Sequence, residues 1–227
     1  MIILVRHGEA THHTLNLTGG WTDSELTTKG EGQLEAVANK LAEDFAGRNI
    51  RMRILASDLK RAAKSAQIIA KALQFKGEIE YYEFLREKNN GQAAGLTEDE
   101  AKKFFRPVVD EKDLSHRNYP GGESRNEFYV RNVEGLLAHA DWEKENLIIV
   151  AHKGTVQNLI FAWLGMNMQE VVDKSFSVDI SPASVTILGV NKWHEHCIYR
   201  LNDISHLQKA NSGFGVFDFK YGRKLDN

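Results

Sequence analysis

This 227-residue chain is informative first through its shortages. It has one cysteine, Cys197, so no internal disulfide can staple it, and a reducing compartment is expected. With three prolines and no Pro-rich or low-complexity stretch there is no sign of a linker, and the expectation is one domain over residues 1–227. Charge of one sign is also missing. Lys and Arg number 29 against 31 Asp and Glu, a net charge of −2, and no basic block stands out, which argues against bulk attraction to nucleic acid or to a membrane surface. No apolar run approaches the roughly 18 to 20 residues of a membrane span. The first such run, Ile2 to Val5, is too short for the core of a secretion signal and lacks a basic leader. A cytoplasmic protein with a small-molecule partner is expected, its oligomeric state left open.

What is present begins with that same run. Ile2-Ile3-Leu4-Val5 stops abruptly at Arg6-His7-Gly8-Glu9, the pattern of a buried strand that delivers reactive groups to its carboxyl end, where open α/β sheets place their ligands. A polar loop is expected over His12 to Ser24, then a helix capped by Thr27 with an apolar face at Leu34, Val37, Ala38, Leu41 and Phe45. Arg51 to Ala56 reads as a strand, with a helix starting at Ser57-Asp58, and Ile79 to Phe84 as a third strand before the loop Leu85 to Gly95. Two capping boxes, Thr97 to Glu100 and Ser124 to Glu127, open further helices. Asn146 to Ala151 is a second continuous apolar strand that halts at a histidine, His152, before Gly154 and a helix ending near Gly165. Val185 to Val190 and Cys197 to Leu201 read as the last strands. The alternation implies an α/β fold, a three-layer sandwich with a mostly parallel central sheet and helices on both faces.

Arg6-His7-Gly8-Glu9 resembles the signature of the histidine phosphatase superfamily, also called the phosphoglycerate mutase-like family, and the resemblance continues in family order. Ser57-Asp58-Leu59-Lys60-Arg61-Ala62 is similar to its second arginine motif, Leu85-Arg86-Glu87 with Gly91 to its acid-bearing loop, and Val150-Ala151-His152 to its second-histidine motif. The resemblance implies phosphoryl transfer through a phosphohistidine. His7 would be the nucleophile, which works only unprotonated. Arg6 and Arg61 would hold phosphate oxygens with their planar donor forks, and His152 would complete the cradle. Glu87 would be the general acid and then base. Gly8 would let the backbone pass close to the phosphate, and His13, Asn16, Gly20 and Lys153 would contact phosphate or substrate. No metal or cofactor is implied.

Two departures bear on substrate choice. His13 stands where many family members have Asn, and His152-Lys153-Gly154 where His-Gly-Gly is common, so Lys153 or His13 is expected to meet a second anionic group. A cap-like insertion is expected at about 96–122, with Phe104, Phe105, Arg106, His116 and Arg117 as candidate walls. It lacks the adjacent arginine pair of family mutases, which favours a phosphomonoesterase acting on a small phosphorylated metabolite. The alternatives are a phosphoglycerate mutase and a non-catalytic phosphate-binding protein. The tail after about residue 208 is not placed.

Overall fold

The structure, a computed structural model, describes residues 1–110 and 112–207. The tail at about 208–227 lies outside the described residues.

Six strands form one sheet in the order β3-β2-β4-β1-β5-β6. They are β1 (Ile2–Arg6), β2 (Arg53–Ser57), β3 (Ile79–Tyr82), β4 (Leu147–Ala151), β5 (Val185–Val190) and β6 (His196–Asp203). The four strands β3, β2, β4 and β1 run parallel, β5 runs antiparallel to β1, and β6 antiparallel to β5, so the sheet is mostly parallel as expected. Side chains alternate between its faces. Ile2, Leu4, Leu147 and Ile149 enter one core with α5 (Arg125–His139), α6 (Lys153–Trp163) and α7 (Met168–Asp173). Ile3, Val5, Ile148 and Val150 enter the other with α2 (Thr28–Phe45) and α3 (Lys60–Ala72). Burial on both faces explains why β1 and β4 read as unbroken apolar runs.

The caps work as read. Thr27 accepts the N–H of Gly30, and the boxes at Thr97 and Ser124 open α4 (Glu98–Lys102) and α5. Several elements differ from expectation. One turn of helix, α1 (Thr11–Thr14), interrupts the expected loop. Ser57 belongs to β2, and α3 starts at Lys60 because Ser57 Oγ takes the Leu59 N–H while Leu59 is still extended. β3 ends at Tyr82, where a 3-10 turn (Glu83–Leu85) swings the chain toward the site. Helix α7, opened by an Asn167–Glu170 capping box, was not anticipated. The expected cap consists of α4 followed by a stretch, 103–124, with no helix or strand among its described residues.

Two contacts set the site's position. Register pairs Val5 with Val150 and Arg6 with Ala151, so the strand ends bearing His7 and His152 lie side by side, and the His7 N–H donates to Ala151 O at 3.0 Å. On the other side the chain after β1 crosses α2 at van der Waals range. A Cβ on Gly8 would sit 2.5 Å from Gly30 O, and a Cβ on Gly30 would overlap the carbonyl of Glu9. Gly8 is therefore required by helix packing, whereas the expectation tied it to phosphate. Gly30→Ala is expected to destabilise by about 1–3 kcal/mol or more, since neither backbone can yield. Gly32→Ala, two residues along α2 with open space at its Cβ, should gain roughly 0.5–1 kcal/mol. Urea unfolding midpoints at unchanged m-value decide both.

Candidate active site

Four imidazoles and two guanidiniums meet where β1 and β4 end. His7 lies 5.1 Å from His152, 5.7 Å from His13 and 6.1 Å from His12, ring centre to ring centre. The sequence expectation brought His7, His152 and His13 here; His12, not among the expected site residues, is buried against them on α1 and bonded to Ser24 Oγ at 2.7 Å.

Hydrogen bonds fix what each ring presents. His7 Nδ1 is 2.7 Å from its neighbour's carbonyl, Gly8 O, an acceptor only, so the ring proton sits on Nδ1 and Nε2 carries the lone pair. Arg61 Nε donates to that Nε2 at 3.3 Å. His152 Nε2 lies 2.8 Å from Ser57 Oγ, while its Nδ1 is buried with no partner; so is Arg6 Nε. His13 Nδ1 accepts the Ala10 N–H at 3.1 Å, which leaves its Nε2 as donor, 3.3 Å from a second donor, Arg6 Nη2. Two donors facing one another, a buried guanidinium N–H without an acceptor and a buried imidazole nitrogen without a partner call for an acceptor-rich guest such as a phosphoryl group.

The arginines are held differently from the expectation of two free forks. Arg6 Nη1 is tied to Ile180 O at 2.6 Å, which leaves its Nε and Nη2 edge open. Arg61 is buried, and its outer nitrogens donate to Thr22 O and Gly20 O, so its main free-facing group is the Nε directed at His7. Gly20 thus contributes a carbonyl that seats Arg61. Its φ of +71° and the Lys88 carbonyl 2.6 Å from where a Cβ would stand exclude a side chain. Asn16 is exposed in a left-handed turn with no side-chain hydrogen bond among the described residues.

Glu87 is delivered by the loop after β3. Its Oε2 accepts the Gly154 N–H at 3.0 Å and its Oε1 the Lys88 N–H at 2.9 Å. A Cβ on Gly154 would lie 2.5 Å from Glu87 Oε1 and 2.7 Å from Phe128 Cε1, so a side chain here would displace the carboxylate or the ring. The loop is clamped by residues that sequence reasoning missed. Arg131 on α5 donates to the carbonyls of Glu83, Phe84, Arg86 and Glu87 while paired with Glu123 at 2.6 Å. Trp21 Nε1 also donates to Glu87 O at 2.8 Å, with the Arg86 guanidinium over its ring. Arg86 in turn pairs with Asp58, tying this loop to the start of α3. Lys153 is ion-paired with Asp179 at 2.7 Å. None of the five expected cap walls, Phe104, Phe105, Arg106, His116 and Arg117, lines the cleft beside Glu87; Arg117 pairs instead with Glu127.

The electrostatics suit a neutral nucleophile. Burial, reinforced by Arg61, His152 and Arg6, holds His7 well below the ordinary imidazole range, and burial with Arg61 and Arg6 does the same to His152. His12 falls to about 3 and His13 to about 4, burial again first. Burial also lowers Arg61, to about 10, which still leaves it charged at neutral pH. All four imidazoles therefore take up protons more readily in the unfolded chain than in the folded one. Their contribution to stability is whole above the unfolded value of about 6.5 and is lost progressively as pH falls below it. The urea midpoint is expected to drop steadily from about pH 7 to pH 5, and a flat profile over that window would show that the rings charge freely in the folded protein.

Comparison with known proteins gives the chain a family. The model of the histidine phosphatase superfamily (branch 1) matches residues 2–203. A 2,3-bisphosphoglycerate-dependent phosphoglycerate mutase of Bartonella tribocorum is 29% identical over 187 residues, 79% of this chain and 88% of that protein. A metal-independent phosphoserine phosphatase of Arabidopsis thaliana is 28% identical over 217 residues, 92% of this chain and 84% of that one. Among solved structures, Bacillus stearothermophilus YhfR superposes with a TM-score of 0.71 at 25% identity, covering 91% of this chain and 98% of that chain. With the family pattern matched from the first strand to the last, this chain belongs to the histidine phosphatase superfamily, whose phosphatases and phosphoglycerate mutases are its relatives.

Proposed function

We propose that the protein is a phosphomonoesterase that hydrolyses a small phosphorylated metabolite through a phosphohistidine, without a metal. The observation that carries this reading is the set of unpartnered nitrogens, Arg6 Nε, His152 Nδ1 and the facing donors His13 Nε2 and Arg6 Nη2, gathered around a histidine whose Nε2 lone pair is free of a proton. In the first step the Nε2 pair forms a bond to phosphorus as the ester P–O bond breaks. The leaving oxygen takes a proton from Glu87. In the second, Glu87 as carboxylate removes a proton from water whose oxygen bonds to phosphorus, and the N–P pair returns to His7. The cationic and imidazole donors meet the charge on the equatorial oxygens throughout, and loss of one such contact costs about 10²–10³ in rate.

A phosphoglycerate mutase is the second reading, favoured by relatives that carry that name. A mutase must keep its phosphorylated histidine from water. The stretch 103–124 argues for the hydrolase, because it exposes Phe104, Phe105, Val108 and Val109 to solvent rather than packing them as a lid.

Phosphate release from a panel of phosphomonoesters, 3-phosphoglycerate included, is expected to persist in excess EDTA, to vanish in His7→Ala, and to fall at least about a hundredfold in Glu87→Gln. Rapid acid-sensitive labelling of the wild type from a radiolabelled ester, absent in His7→Ala, would accompany it. Interconversion of 2- and 3-phosphoglycerate with little phosphate released would instead establish the mutase. Release undiminished in His7→Ala would remove the nucleophile.

A further inference from the structure

His152 holds a buried nitrogen without a partner beside His7, and the form that nitrogen takes is decided on the far side of its ring. The ring is fully buried, its centre 5.1 Å from that of His7. Nδ1 has no partner, while Nε2 lies 2.8 Å from Ser57 Oγ. Ser57 is itself fully buried, as the last residue of β2. Register brings the two together, since Ala56 pairs with Val150 and the strands β2 and β4 then end side by side.

A neutral histidine in this position has two forms. With its proton on Nε2 it donates to Ser57 and turns a lone pair out at Nδ1; with the proton on Nδ1 it accepts at Nε2 and offers an N–H. The serine separates them. Its Oγ has one proton and two lone pairs, and the Leu59 N–H, which can only donate, takes one of the lone pairs at 3.3 Å. The hydroxyl's own proton has no acceptor among the described residues other than His152 Nε2. A second proton on Nε2 would strand that hydroxyl proton in the interior, which folded proteins avoid. The residue type matters as well. An ionised carboxylate in place of Ser57 could only accept, so it would draw the ring proton to Nε2 and favour the imidazolium. A hydroxyl does neither, and burial, with Arg61 and Arg6 nearby, keeps the ring neutral.

We propose that Ser57 is a positioning residue for phosphoryl transfer: its hydroxyl donates to His152 Nε2, fixes the ring proton on Nδ1, and so turns an N–H, not a lone pair, toward the phosphoryl oxygens. This deepens the phosphatase reading and rests on it. Ser57 acts through His152 and does not itself touch the substrate.

The test reads the ring directly, by imidazole nitrogen NMR of histidine-labelled wild type, Ser57→Ala and Ser57→Thr at neutral pH, with the His152 signals identified by their loss in His152→Gln. The wild type and Ser57→Thr, which keeps the hydroxyl, are expected to carry the proton on Nδ1, and Ser57→Ala to show a population protonated at Nε2. Inorganic phosphate is then titrated calorimetrically into the same proteins. Ser57→Ala is expected to bind it about tenfold more weakly than wild type, and Ser57→Thr within about threefold. A wild-type ring protonated at Nε2 overturns the inference, and this spectrum decides alone if Ser57→Ala does not fold. A His152 ring unchanged in Ser57→Ala overturns it too, as does phosphate affinity that stays constant while the proton moves. All three expected results, together with no turnover of any phosphomonoester by wild type, support the role of Ser57 and remove the phosphatase.

Discussion

The site depends on a guanidinium buried without a carboxylate. Arg61 is held by the carbonyls of Thr22 and Gly20, so its hydrogen bonds are satisfied while its charge is not. A carboxylate partner would have made burial easier and would have neutralised the field needed by an incoming phosphoryl group. Carbonyl seating has a structural requirement in return. The loop 18–24 must present those oxygens inward, which is why Gly20 sits at positive φ and why Thr22 Oγ1 folds back on Thr18 O at 2.7 Å. Burial keeps His7 deprotonated and this charge reinforces it, so seating the arginine also helps to ready the nucleophile.

Strands β1 and β4 were legible because a parallel strand buried on both faces leaves a continuous apolar run, and an abrupt stop at Arg-His or at His marks the end where such a strand meets a ligand. Helices α2, α4 and α5 announced themselves through caps that the structure contains. Helix α1 did not, because a single turn has no apolar period to show. For α7 the signal was present, an Asn three residues before a Glu, and it went unread. Arg6, His7, Arg61, Glu87 and His152 were found through order and resemblance.

The parts that escaped are long-range. Arg131 lies 44 residues from the carbonyl of Glu87 that it holds, and Trp21 lies 66 from the same atom, so no local pattern links them. What they do is convert a loop into a fixed support. Arg131 and Trp21 together hold the carbonyls of Glu83, Phe84, Arg86 and Glu87, leaving the acidic side chain little backbone freedom. His12 escaped for another reason. Two adjacent histidines look redundant in sequence, whereas a one-turn helix aims one at Ser24 and the other at Arg6. The fork geometry of Arg61 was misjudged because a sequence names the donor and not the acceptors that claim it.

The strand order has a consequence for how the chain comes together. β1, the first strand to be made, has as its sheet neighbours only β4 and β5, which begin at Leu147 and Val185. Until most of the polypeptide exists, its apolar residues have no edge to join, and closing so large a loop is slow compared with forming the local helices. The nucleophile's own strand therefore enters the sheet late. The chemistry is assembled by the contacts of highest sequence separation, and a partly made chain holds its reactive histidine outside any cradle.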